Sequence, residues 1–345
     1  MSYGPCGGVR ADGNCEVHER RCPFVEHLTR EPPKPQRVAV TGIGPADLMR
    51  RFVPKAGPGP AVPLIVVDVR APRSWDGDVL ALWAATADRL AGCVALIGEH
   101  VDNPGHDDDA GAMPTAAVIG ALAAGGVPAI VTVTGRDRSI VEAQDLIGAH
   151  QNAGASAIHC VTGDHPASLG LARPARFGAE AMSLIALAAA AGIPATTAES
   201  PASPGFRVQR LAMKRRAGAA AAVLNHCGDV EEVVAFADAC RQSGNDMPLI
   251  APVAMVGDAR AALALQAFPG LRVSQAAMRS IATADDPHAA GLAAAAEQCR
   301  GLAVSERFVG VNLSGSGWDR DPIARLEATA AFIEVVRQAW SDAPR

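Results

Sequence analysis

Leu64-Ile65-Val66-Val67-Asp68-Val69 is apolar at every position but one, and its hydrophobic residues run on without alternating with polar ones. A strand with one wet face alternates; an uninterrupted run is buried on both faces, as in a parallel sheet covered by helices. Comparable runs return at 94–97, 129–133, 156–161, 194–198, 220–224, 248–253 and 307–313. Helically spaced stretches follow them at 78–90, 114–124, 140–153, 179–191, 206–217, 230–242, 259–267 and 323–340, with one more helical stretch expected over 276–300. Eight strand–helix units predict an α/β fold of the (β/α)8 TIM-barrel type over 63–345. A doubly wound open sheet is the other solution, but no Gly-x-Gly-x-x-Gly follows any strand.

Ahead of the barrel the chain divides in two. Residues 1–29 form a small Cys-rich extension with no helical or strand period, holding Cys6, Cys15 and Cys22. With His18 these thiols could make a tetrahedral zinc shell, although the spacing is not that of a standard finger; a disordered or docked tail is the other reading. Residues 30–62 read as linker and preamble, Pro-rich at 30–37, strand-like at 38–41 and helical at 46–52. The remaining cysteines, 93, 160, 227, 240 and 299, are scattered through apolar segments and read as reduced core thiols.

Composition narrows the partners. A formal net charge of −5 argues against a nucleic-acid surface. No apolar run approaches the ~20 residues of a membrane helix, and no leader pattern opens the chain, so a soluble cytoplasmic protein with small-molecule partners is expected. Aromatics are only 4 % of the residues, so the core must be built from Ala, Val, Leu and Ile.

In a barrel the residues just past each strand's C-terminal end share one mouth. Here they are Asp68, Glu99 and His100, Thr134 with Arg136 and Asp137, Thr162 and Asp164, Glu199, Asn225 and His226, and Asn312 with Ser314. This ring is rich in acids and amides and has no Ser-His or Cys-His nucleophile, which argues against covalent acyl transfer. Asp68 interrupts an apolar strand, where desolvation favours a protonated acid; an ion pair with Arg70 or Arg136 is the alternative. Asp164 stands in a Gly-Asp-His-Pro turn that a ligand carboxylate and a structural Asx-turn would share. His106 and Asp107 to Asp109 read as a solvated loop. Lys214-Arg215-Arg216 reads as a solvated cluster at a helix C-terminus or a phosphate cradle.

Two local patterns then converge. Thr134-Gly-Arg-Asp-Arg-Ser139 followed by Val161-Thr-Gly-Asp-His-Pro166 resembles the methylenetetrahydrofolate reductases, especially the acetogen-type branch. Gly4-Pro-Cys-Gly-Gly8 with Gly13-Asn-Cys-Glu-Val17 is similar to a signature in the zinc-associated partner subunit of that branch. The resemblance implies reduction of 5,10-methylenetetrahydrofolate to 5-methyltetrahydrofolate, or the reverse, with hydride from NADH or NADPH passed through FAD or FMN. Some relatives take hydride directly from NADH. By the same resemblance Asp68, where the family generally has Glu, is the acid that opens the imidazolidine ring; Asp164 stabilises the iminium cation; and Asn225 contacts the pterin. Thr134, Arg136, Asp137, Thr162, Glu199 and Lys214 fall on cofactor-binding positions, while Arg207, Arg210 and Met213 depart from the family's usual Asp, Asn and Arg. A second expectation is a partner-dependent subunit that binds folate or flavin without turnover of its own and docks another protein through its Cys-rich head.

Overall fold

The computed structural model describes residues 9–10, 12–15, 17–25, 33, 48–50, 63–69, 79–98, 115–165, 176–203, 205–267, 271–315 and 322–344. The barrel strands are β1 (Leu64–Val69), β2 (Val94–Ile97), β3 (Ala129–Thr134), β4 (Ala157–Val161), β5 (Ala195–Glu199), β6 (Ala219–Leu224), β7 (Leu249–Ala254) and β8 (Gly310–Ser314). They pair in parallel and in sequence order, and β1 closes on β8 with Val66 opposite Asn312. The expected TIM barrel is therefore the fold. The helices are α1 (Val79–Arg89), α2 (Thr115–Ala124), α3 (Ile140–Asn152), α4 (Ala181–Ala190), α5 (Arg207–Arg216), α6 (Val230–Gln242), α7 (Ala259–Ala267), α8 (Gln275–Ala282), α9 (Pro287–Ser305) and α10 (Pro322–Ser341).

Strand parity sorts the side chains into two cores. Ile65, Val67, Val131, Val133, Ile158, Cys160, Val311 and Leu313 face the helices, whereas Leu64, Val66, Val94, Ile130, Ala157, Ala221 and Ile250 fill the barrel. Asp68 has the parity of Leu64 and Val66, so it stands on the inner face at the C-terminal end of β1. Leu48, fully buried, belongs to the same inner core, so the short helical turn at 48–50 contributes to the barrel although it lies in the stretch read as preamble.

The helical stretch expected over 276–300 is two helices. Asp286 caps α9 by accepting from the Ala289 amide, with Pro287 opening its first turn, and α8 ends at Ala282. The last barrel strand starts at Gly310 rather than 307. An added two-stranded parallel ribbon joins Cys227–Gly228 to Arg272–Val273, flanked by the half-exposed Arg272–Glu232 ion pair at 2.7 Å. The expected strand at 38–41, Cys6, Arg70, Glu99, His100 and the loop holding His106 to Asp109 lie outside the described residues.

Candidate functional site

The loop after β3 is fixed by hydrogen bonds that its own sequence supplies. Ser139 starts α3 with a capping box: its hydroxyl accepts from the Glu142 amide at 3.2 Å, and the Glu142 carboxylate accepts from the Ser139 amide at 2.7 Å. Asp137 takes the left-handed conformation, φ 58°. Its amide donates to the Arg176 carbonyl at 2.6 Å and its carboxylate accepts from the Arg176 amide at 3.3 Å. Backbone approaches so closely here that a Cβ on Gly135 would stand 2.0 Å from the Ala179 carbonyl oxygen, and one on Gly178 2.3 Å from that of Arg138.

Arg136 is completely buried and ties this loop to the next. Its Nη1 donates to the Asp164 main-chain carbonyl at 2.7 Å, while its Nε faces the Asp137 carboxylate at 3.6 Å. Arg136 thus grips the Asp164 main chain, and the Asp164 residue is half-buried. Burial pushes its pKa above the usual carboxylate range, and the Arg136 charge opposes that rise. Thr162 accepts from the Ala181 amide at 3.2 Å, anchoring the same turn to α4.

Two neutral histidines lie within the protein near this mouth. On the inner face His159 pairs with Thr196 across β4 and β5, Nδ1 to Oγ1 2.9 Å, and burial, helped by Lys214, pushes its pKa down to about 4. His226, next to Asn225, pairs through Nε2 with Ser314 at 2.8 Å, and burial takes it to about 4 as well. Asn225 is partly exposed, and its main-chain N–H donates to the Glu199 main-chain carbonyl at 3.0 Å. Asn312 is buried on the inner face of β8.

Glu199 and Lys214 are not presented to the mouth. Glu199 shares the parity of the helix-facing Ala195, so its carboxylate points behind the strand toward α5. There it binds Arg210 at 2.5 and 3.1 Å and Lys214 at 3.1 Å, all three side chains being at most 11 % exposed. Burial alone would raise the Glu199 pKa, but the two cations hold it below the usual range. Lys214 also donates to the Ala198 carbonyl at 2.5 Å, and burial lowers its pKa against the pull of Glu199. The solvated reading of 214–216 therefore holds for the exposed Arg215 and Arg216 only. The signal that could have revealed this is the i, i+4 spacing of Arg210 and Lys214, which puts both cations on one helix face beside the only acid of β5.

Sequence reading also missed contacts between the Cys-rich segment and the barrel. The His18 ring meets His165, the residue after Asp164, edge-on at 6.2 Å between centroids. Val25, 1 % exposed, lies against Gly205 in the loop before α5, and Cys22 is buried near Arg210. Of the three cysteines proposed for zinc, Cys6 is outside the described residues; among the described residues no group of three His, Cys, Asp or Glu could hold a metal ion. Among them too, no helix is long and apolar enough to cross a membrane.

Comparison with known proteins adds the family. The chain is similar in fold to an uncharacterized protein from Clostridium thermocellum that binds two copies of 5-methyl-5,6,7,8-tetrahydrofolic acid, at 11 % identity and a TM-score of 0.58, covering 80 % of this chain and 95 % of that one. A weaker likeness is to tryptophan synthase from M. tuberculosis, at 12 % identity, a TM-score of 0.45 and coverage of 85 % and 97 %. No curated protein matches. The methylenetetrahydrofolate reductase profile matches residues 86–310, from within α1 to the start of β8 and with the Arg136 and Asp164 loops included, and the chain belongs to that family.

Proposed function

We propose that the protein is an oxidoreductase acting on the one-carbon unit of tetrahydrofolate, reducing the 5,10-methylene form to the 5-methyl form or running the reverse. The observation that carries this reading is the Asp164 turn, a half-buried carboxyl held at the mouth by Arg136 through its backbone while the side chain stays available. The family and the folate bound by the C. thermocellum protein support the substrate class.

Asp68, on the inner face of β1, is the proton donor. Its O–H bond breaks as the proton moves to N10 of the folate, the bond from N10 to the methylene carbon breaks, and a cationic N5 iminium results. Asp164 faces that cation. An ionised carboxylate in a partly desolvated site acts more strongly on developing charge than it would in water, and the Arg136 charge opposes the effect of burial on it. Hydride from the nicotinamide C4 of NADH or NADPH then reaches the methylene carbon, giving the methyl group and the oxidised nicotinamide. Asn225, partly exposed at the end of β6, supplies an amide for the pterin edge.

The test is nicotinamide oxidation dependent on methylenetetrahydrofolate. Asp164→Asn keeps the shape and removes the charge, so kcat should fall on the order of 10²-fold or more with little change in melting temperature. A wild-type chain that binds no reduced folate would sink the proposal. The partner-dependent alternative is disfavoured by the seating of the Cys-rich segment on its own barrel, and folate-dependent turnover by the purified chain would exclude it.

A further inference from the structure

The resemblance assigns a flavin to Thr134, Arg136, Asp137, Thr162, Glu199 and Lys214, yet each of these side chains is engaged within the protein. Arg138 donates to Thr134 Oγ1 at 3.2 Å, Thr162 accepts from the Ala181 amide, Asp137 clasps Arg176, and Arg136 is fully buried against Asp164. Glu199 is taken up by both Lys214 and Arg210 behind the strand. These groups do not fit a flavin.

A second feature occupies the same side of the mouth. The described residues between 9 and 25 form a small knot around Val9, Cys22 and Val25, closed by bridges between Val9 and Cys15 and between Asn14 and Arg21. The knot touches two successive loops at the C-terminal face. His18 meets His165 after β4, and Val25 packs on Gly205 after β5 so closely that a Cβ there would lie 2.4 Å from the Val25 carbonyl oxygen. Gly205 also has φ +79°, so glycine suits this contact on both counts.

We infer that the N-terminal segment takes the place of a flavin on the β4–β5 side of the mouth, and that this protein passes hydride directly from a nicotinamide to the folate. The inference rests on the folate reading above. In the direct reaction the C4–H bond of the nicotinamide breaks with its electron pair, the new C–H bond forms on the iminium carbon, and no third redox group is needed.

Three measurements on the full chain test it. FAD and FMN, titrated against the purified protein, should show no saturable quenching of flavin fluorescence; stoichiometric binding overturns the inference. Hydrogen exchange should find residues 17–25 protected, with protection falling about tenfold or more in Gly205→Val; unprotected exchange in the wild type also overturns it. Nicotinamide dideuterated at C4 should deliver one deuterium to the product methyl group. Transfer through a reduced flavin would lose it to water by exchange at N5, and that washout would count against direct transfer. If no turnover is seen with folate, the folate reading fails while the flavin titration and the exchange experiment still decide whether the segment displaces a flavin.

Discussion

Replacing Glu199 by Gln removes one negative charge from a buried cluster that contains two positive ones. The carboxylate, 2 % exposed, accepts from Arg210 through both oxygens and from Lys214 through one. Breaking a buried pair by removing one partner costs about 3–5 kcal/mol, because the abandoned charge stays desolvated, and here two are abandoned. Against a typical total of roughly 5–15 kcal/mol, that is a large fraction of the stability. Urea unfolding followed by circular dichroism should show the midpoint falling by about 1 M or more for a slope of about 3 kcal/mol/M. High salt should not restore it, since buried charges are poorly screened. Glu199 has a folded pKa below its ordinary value, so its contribution is fully present above the unfolded carboxylate range and is lost as pH falls through the folded value. The gap between wild type and variant should therefore be constant from pH 8 to about 5 and narrow in acid. Lys214→Met leaves the Arg210 pair intact and removes a cation whose burial already opposes its charge, so its cost should be well below that of Glu199→Gln. The reasoning is refuted if Glu199→Gln costs under about 1 kcal/mol, or if Lys214→Met costs as much.

Other outcomes follow from the same geometry. His159 and His226 are held neutral with pKa values near 4, below the ordinary 6.5, so stability should fall as pH drops from about 6.5 to about 4, by roughly 3 kcal/mol per histidine at most; substituting both with Gln should flatten the urea midpoint across that range. Gly135→Ala would drive a methyl into the Ala179 carbonyl and should lower both melting temperature and kcat, whereas the same change at Gly148, where a Cβ meets nothing within 4 Å, should leave kcat unchanged and raise stability by about 1 kcal/mol through helix propensity. Asp68→Glu lengthens the proposed donor by one methylene and should retain measurable turnover, while Asp68→Asn should abolish the proton-dependent step; equal rates for the two would remove Asp68 from the mechanism.

The barrel was legible because its strands are continuous apolar runs, a pattern that parallel burial imposes and few other folds share. The positions of Arg136 and Asp164 just past the ends of β3 and β4 were also legible, since strand ends in such a fold converge on one mouth. The direction of Glu199 was not. β5 reads Ala-Thr-Thr-Ala-Glu, with no large apolar residue to mark which face is which, so position alone put its carboxylate at the mouth when parity sends it behind the strand. The break between α8 and α9 was hidden by alanines on both sides of it, which carry the helical period without locating its interruption. The seating of Val25 on Gly205 joins residues distant in the chain and leaves only a glycine as its trace.

The inner core has a consequence for how the chain is made. Leu48 shares a cluster with Leu64 and Val66 of β1 and with Val309 at the threshold of β8, and β1 cannot complete its hydrogen bonds on one edge until β8 arrives. A ribosome delivers these partners at opposite ends of the barrel. The first strand must therefore wait with an open edge while nearly the whole barrel is translated, and closure follows the synthesis of β8. Pulse-labelled nascent chains halted before Gly310 should remain sensitive to protease at β1, and chains carried past Ser314 should become resistant.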